Sequence, residues 1–409
     1  MQECTVGSNV TQDAMESLRQ FHLITVAHPR LVAARDQLMS AIFDTAPGSL
    51  ILVIGPTGVG KTTLRLKAEQ LIAQQMRPVL HDDPGRLPYV SLEAVAPESG
   101  NFSWRDHSYR MLEQMNEPLL DHKLSASHFH SGRNETGQFI SASHGPAIGL
   151  QRAVEQALKY RRPAVVFIDE AQHLARMASG RRLSDQLDVI KSMANRTGTI
   201  HVLLGTYDLL AFCNLSGQLS RRSIFVHFRR YLAEEQKDIE AFQNVLMTFR
   251  SRLPLPETPG LMEEWEFLYE RSAGCVGVLK EWLERAAAHA LKRGEKSLGR
   301  QHLMTTALSV SQCEKILAES REGESRLTDT GESCARLRIL LGLGSEAPPR
   351  KGGVGSLDAA GATLLPEKKR QRAGRRRPRR DPIGIHSPYA DKPSAVRGVD
   401  ARPSGNTTA

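Results

Sequence analysis

The sequence predicts an α/β fold: a three-layer sandwich around a five-stranded parallel sheet, followed by a small helical domain and a disordered basic tail. Three observations carry this. Short apolar, largely branched runs recur at residues 49–54, 88–92, 164–169, 200–205 and 223–228, separated by amphipathic or loop segments. Beyond Tyr231 such runs cease and only helical periodicity remains. The charge is concentrated at one end: of a formal net charge of +9 over 409 residues, residues 346–409 supply +8.

Taken in order, residues 1–45 form an N-terminal helical segment, with a helix starting at His28-Pro29 and Leu31, Val32, Ala34, Leu38, Ile42 and Phe43 recurring at helical spacing. The run SLILVI at 49–54 is apolar throughout and ends at Gly-Pro, as a strand buried on both faces does. It opens a core domain spanning 46–231. Within that domain residues 121–145 are a polar insertion rich in His, Ser and Gly. A helical domain of four amphipathic helices, at 234–249, 261–272, 276–291 and 301–318, fills 232–320. From 321 to 409 we expect a linker and the basic tail. Residues 368–380 hold nine Lys and Arg in thirteen positions, a block that repels itself and buries too little apolar surface to order. Clustered Arg of this kind suits an electrostatic arm for nucleic acid or another acidic partner, the alternative being a solvated linker.

Composition excludes several classes. With 40% hydrophobic, 24% charged and 5% aromatic residues the chain is neither collagenous nor a disulfide scaffold. No apolar run approaches the roughly 20 residues of a membrane span, and the acidic start Met1-Gln2-Glu3-Cys4 lacks the basic region of a secretory leader, so the expectation is a cytoplasmic protein with no membrane partner. Cys4, Cys213, Cys275, Cys313 and Cys334 are scattered, without Cys-x-x-Cys or zinc spacing. His122, His128, His130 and His144 of the insertion lack companion carboxylate or thiolate ligands and are not expected to hold a metal.

The strongest motif follows the first strand: Gly55-Pro56-Thr57-Gly58-Val59-Gly60-Lys61-Thr62, continuing through Thr63 into a helix. Glycines let backbone N–H groups converge on an anion, the helix N-terminus adds its dipole, Lys61 reaches the β and γ phosphates, and Thr62 ligates Mg²⁺. The second motif is the strand 164–169 ending in Asp169-Glu170. Carboxylates delivered at the C-terminal edge of a parallel sheet stand beside the phosphates. Asp169 would hold Mg²⁺ through water and Glu170 would polarise the attacking water, which favours an ATPase over a small-molecule kinase. Thr206, after the fourth run, is placed to sense the γ phosphate. Arg221 and Arg222, at the entry to the fifth run, suit a finger that crosses to a neighbouring subunit's nucleotide. Lys280, in Gly277-Val278-Leu279-Lys280, would touch the nucleotide from the helical domain.

In this order the motifs resemble the AAA+ ATPase plan, and the segments FHLITVAHPRL (21–31), 53–64, VVFIDEAQHL (165–174) and LLGTYDLLAFCNLSGQLSRRSIFVHFRRY (203–231) resemble, more narrowly, the TniB and TnsC regulators of bacterial transposition. The resemblance covers residues 20–290. It implies ATP and Mg²⁺ as cofactors, Lys280 as the lid's basic sensor, and a homo-oligomer, ring or filament, on double-stranded DNA. It also implies recruitment of a transposase or target-selection adaptor, with disassembly upon ATP hydrolysis. Lys280 stands where many AAA+ members carry arginine, and lacks its planar fork. Lys123 and Arg133 of the insertion are candidate phosphate contacts. The alternative is an assembly ATPase of a secretion or cell-envelope system, similar to ExeA, without a DNA role.

Overall fold

The computed structural model describes residues 12–96, 102–118, 120, 131–133, 139–141, 146–174, 181–213, 223–255, 257 and 260–343. The strands are β1 (Leu50–Ile54), β2 (Tyr89–Glu93), β3 (Ser131–Arg133), β4 (Phe139–Ser141), β5 (Val165–Asp169), β6 (Ile200–Gly205) and β7 (Ser223–His227). The first helices are α1 (Gln12–Leu23), α2 (Pro29–Asp44), α3 (Lys61–Gln75), α4 (Arg77–Asp82), α5 (Trp104–Gln114), α6 (Pro146–Arg161), α7 (Arg181–Thr197) and α8 (Leu210–Cys213). After β7 come α9 (Gln236–Arg250), α10 (Trp265–Ser272), α11 (Val276–Lys292), α12 (Arg300–Thr306), α13 (Val310–Leu327) and α14 (Gly331–Leu340).

The five expected strands form one parallel sheet in the order β2-β5-β6-β1-β7. Alternation along each strand divides its side chains between two cores. Leu52, Ile54, Val166, Ile168 and Leu203 pack against Met111 and Leu112 of α5, Val154 and Leu158 of α6, and Leu187 and Ile190 of α7. Ile51, Val53, Val165, Phe167, Val202 and Leu204 pack on the other face, against Leu38 of α2 and Leu64, Ala68 and Ile72 of α3. Because β1, β5 and β6 are covered on both faces, every residue in them is buried. That is why they read as unbroken apolar runs. With β6 between β1 and β5, the ends of three strands converge on one edge: the turn after β1, Asp169 on β5, and Thr206 after β6. Inside the polar insertion, β3 and β4 pair antiparallel, Ser131 opposite Ser141. The insertion's four histidines and Lys123 lie outside the described residues, as do Arg221, Arg222 and everything from Gly344 on.

The helical domain has its own core of Phe242, Leu246, Phe249, Leu268, Leu279, Trp282 and Leu283. It departs from the sequence reading in three ways. The N-terminal segment is divided: α2 packs on the sheet, whereas Phe21 of α1 is buried in the helical core, its ring 5.9 Å from that of Phe249. The helix expected over 301–318 is two helices, α12 and α13, because Ser309 caps the second by accepting from Gln312 N–H while the Gln312 side chain returns to the Ser309 backbone. Finally, the stretch expected as linker from 321 is helical to Leu327 and again from Gly331 to Leu340.

Helix α13 runs back to the sheet. Glu324 pairs with the buried Arg230, Nη2 to Oε2 at 3.2 Å. Gly323 sits on the Tyr207 ring so closely that a Cβ there would lie 2.0 Å from Cγ. Among the described residues no helix is long and apolar enough to cross a membrane.

Four imidazoles are folded into these contacts in neutral form. His28 accepts the Tyr231 hydroxyl at 2.9 Å on Nδ1, and His227 meets the Tyr207 hydroxyl at 2.9 Å through Nε2. Burial lowers His28, His107, His201 and His227 each from 6.5 to about 4. Unfolding restores the ordinary value, so between about 6.5 and 4 the unfolded chain binds more protons and folding stability falls as pH falls. Thermal unfolding at pH 5 is therefore expected several degrees below that at pH 7.5; an equal or higher midpoint at pH 5 would contradict this.

Candidate nucleotide site

The turn after β1 is shaped by two glycines in left-handed conformation, Gly58 at φ +72° and Gly60 at φ +109°, the second leading directly into α3. A side chain at either would be strained. Lys61, the first residue of α3, is buried and turns its ammonium back into the loop, donating to Gly55 O at 3.0 Å and Pro56 O at 2.9 Å. Burial pulls the Lys61 pKa below the ordinary lysine value, while the negative charges of Glu170 and Asp169 push it back up. A phosphate group bound here would add to that upward push.

At the end of β5 the Asp169 carboxylate is fixed on both oxygens. Oδ1 accepts the Glu170 N–H at 3.0 Å, and Oδ2 accepts Arg65 Nε at 3.1 Å. Arg65, from α3, also donates to Ser91 Oγ at 2.6 Å and pairs with Glu69. The guanidinium thereby ties the loop helix, β2 and the acidic strand into one unit. Glu170 has left the strand: its φ of +50° turns the chain into the short 3₁₀ helix Ala171–Leu174. Its carboxylate accepts from the Gln172 side-chain amide, and the Gln172 Oε1 in turn accepts the Thr206 N–H at 3.2 Å. The Thr206 hydroxyl oxygen is buried and has no hydrogen-bond partner among the described residues. An unpaired buried hydroxyl is costly, and a phosphate oxygen at this edge would satisfy it.

The helical domain meets the loop directly. Val278 N–H donates to Gly58 O at 3.1 Å, and a Cβ on Gly277 would lie 2.4 Å from that oxygen. Beside this contact a cleft is lined by Gly60 and Thr63 of the loop helix, Val26 and His28 ahead of α2, and Val276 and Lys280 of α11. Lys280 thus reaches the site's rim, but its ammonium donates to His22 O at 2.6 Å, securing α1 to α11. On the opposite side a cavity of about 250 Å³ separates Pro56, Thr57 and Thr206 from Glu319, Glu322 and Arg326 of α13.

The structure brings together Gly55, Pro56, Thr57, Gly58, Val59, Gly60, Lys61, Thr62 and Thr63 with Asp169, Glu170 and Thr206; Arg221 and Arg222 lie outside the described residues. Sequence reasoning gave no role to Arg65, Gln172, Arg230 or α13. The donor set fits a nucleotide with a divalent cation. The glycine turn leads into the N-terminus of α3, whose dipole favours anions; Lys61 supplies positive charge, Thr62 and Asp169 are hard oxygen ligands of the kind Mg²⁺ takes, and the Thr206 hydroxyl has no partner among the described residues. Among the described residues no cluster of three or more His, Cys, Asp and Glu could hold a metal ion.

Residues 45–212 match the family described as AAA domain. Similar solved structures include the ADP form of the ORC2 protein of Aeropyrum pernix, at 15% identity and TM-score 0.46, over 72% of this chain and 72% of that one. Another is a Walker-type ATPase of Pyrococcus abyssi, at 16% identity and TM-score 0.38, over 78% of this chain and 84% of that one. No curated protein matches the sequence. The residues that match the family span the loop, the acidic strand and β6.

Replacing Lys61 with alanine removes the only side-chain cation described within the loop and is expected to weaken ATP binding at least about tenfold, the scale of a lost hydrogen bond to a charged group. Titration with a fluorescent ATP analogue checks this; wild-type affinity would move the phosphates elsewhere.

Proposed function

We propose that this chain is an Mg²⁺-dependent ATP-hydrolysing switch that assembles with copies of itself on double-stranded DNA, recruits or activates a transposase, and comes apart when ATP is cleaved. The observation that carries the hydrolytic part is the position of Glu170. It leads out of β5 beside the buried Asp169, at the same sheet edge as Lys61 and Thr206.

Lys61 and the loop N–H groups neutralise the β and γ phosphates, and Thr206 hydrogen-bonds a γ oxygen. Thr62, and Asp169 through water, would hold Mg²⁺, which would supply positive charge against that of the phosphates. Glu170 orients a water and accepts its proton as the water oxygen bonds to the γ phosphorus. The bond from that phosphorus to the β–γ bridging oxygen breaks, and its electron pair leaves with ADP. Arg221 or Arg222 from a neighbouring copy stabilises the charge that develops, which makes turnover depend on assembly.

Support for the DNA and transposition part comes from the sequence. The segment 203–231 with its Asn-Leu-Ser-Gly-Gln-Leu-Ser-Arg-Arg-Ser run resembles the TniB and TnsC regulators, and the Arg-rich stretch 368–380 suits phosphate backbones.

The test is the Glu170→Gln variant. It is expected to bind ATP normally, to turn it over at least about a hundredfold more slowly than wild type, and to remain as large assemblies on duplex DNA in sedimentation and electron microscopy. A variant that hydrolyses ATP at the wild-type rate removes Glu170 from the reaction. Wild-type protein that stays monomeric with ATP and duplex DNA contradicts the assembly.

A further inference from the structure

Gln172 lies between two parts of the site that act on opposite ends of the same reaction: Glu170, which meets the water, and Thr206, which meets the terminal phosphate. Its side chain is almost wholly buried, at 3% exposure. The amide's orientation is fixed by chemistry. Oε1 accepts the Thr206 backbone N–H at 3.2 Å, so the NH₂ must face the Glu170 carboxylate. Turned over, it would set donor against donor and acceptor against acceptor. Space for it comes from Gly205, where a Cβ would lie 2.5 Å from Oε1. The left-handed turn at Glu170 does the rest, by folding residue 172 back alongside residue 170.

The geometry points to Gln172 as a positioning residue that locks the Glu170 carboxylate to the end of β6, so that water activation follows contact with the terminal phosphate; this rests on the hydrolytic reading above. The amide holds Oε2 of Glu170 by a charge-assisted hydrogen bond, leaving Oε1 to meet the water. Thr206 carries the link's other end on its backbone and an unpartnered hydroxyl on its side chain. A phosphate oxygen that draws the hydroxyl shifts the backbone N–H, and through the rigid amide it shifts the carboxylate. ADP lacks the γ oxygens and exerts no such pull.

Two full-length variants test this. Gln172→Met keeps the volume and the buried packing but loses both hydrogen bonds. Gly205→Ala keeps the amide but displaces it. Both are expected to lower kcat about 10- to 100-fold, the scale of a misplaced catalytic group, while affinity for a fluorescent ATP analogue with Mg²⁺ stays within about threefold of wild type, as expected where ground-state contacts are intact. A kcat within twofold of wild type in either folded variant, or a parallel loss of kcat and affinity, overturns the positioning role. Wild-type protein that binds ATP without cleaving it overturns the hydrolytic reading and this inference with it; wild-type turnover matched by Gln172→Met overturns the inference alone.

Discussion

The contact between the phosphate loop and the first turn of α11 is the constraint on which the remaining geometry depends. The Gly58 carbonyl accepts the Val278 N–H, and Gly277 approaches so closely that any side chain would strike that oxygen. Backbone against backbone at this distance leaves no slack. The helical domain is therefore held against the loop itself, and what alters the loop is felt by the helices. The connection from β7 is secured in the same manner: Tyr231 N–H donates to Gly274 O at 3.0 Å, Tyr269 hydroxyl donates to Tyr231 O at 3.0 Å, and Tyr231 hydroxyl reaches His28.

Around that contact the site is built from an ion-paired floor and a buried charge. The floor is Arg65, which joins α3, β2 and β5 through Asp169, Glu69 and Ser91. The charge is the Lys61 ammonium, which occupies the loop on two carbonyl oxygens of Gly55 and Pro56. Exchanging neutral carbonyl partners for phosphate oxygens strengthens each hydrogen bond, because both partners are then charged. The buried ammonium thus favours an anion over its present partners.

Much of this was legible in the sequence, and the reasons are local. Fully buried parallel strands must be apolar throughout, which exposes β1, β5 and β6; the glycine turn must carry its lysine and threonine at fixed offsets. What escaped were contacts whose partners are distant in the chain. Arg65 meets Asp169 across 104 residues and Arg230 meets Glu324 across 94, and nothing in the spacing of either announces the other. Gln172 stood inside a motif read for its acids, yet its function depends on Thr206, 34 residues on. The split between α12 and α13 was a local signal that was missed, since Ser309 and Gln312 form a capping box within an otherwise apolar-periodic stretch.

With α11 seated on the loop, nucleotide bound at the loop is expected to be sensed by both. Amide hydrogen exchange of the full-length chain, with and without Mg²⁺ and a non-hydrolysable ATP analogue, measures this directly. The expected result is slowed exchange over residues 55–64 and, in the same titration, over residues 274–280. Protection confined to the loop, with 274–280 unchanged at saturation, would contradict it.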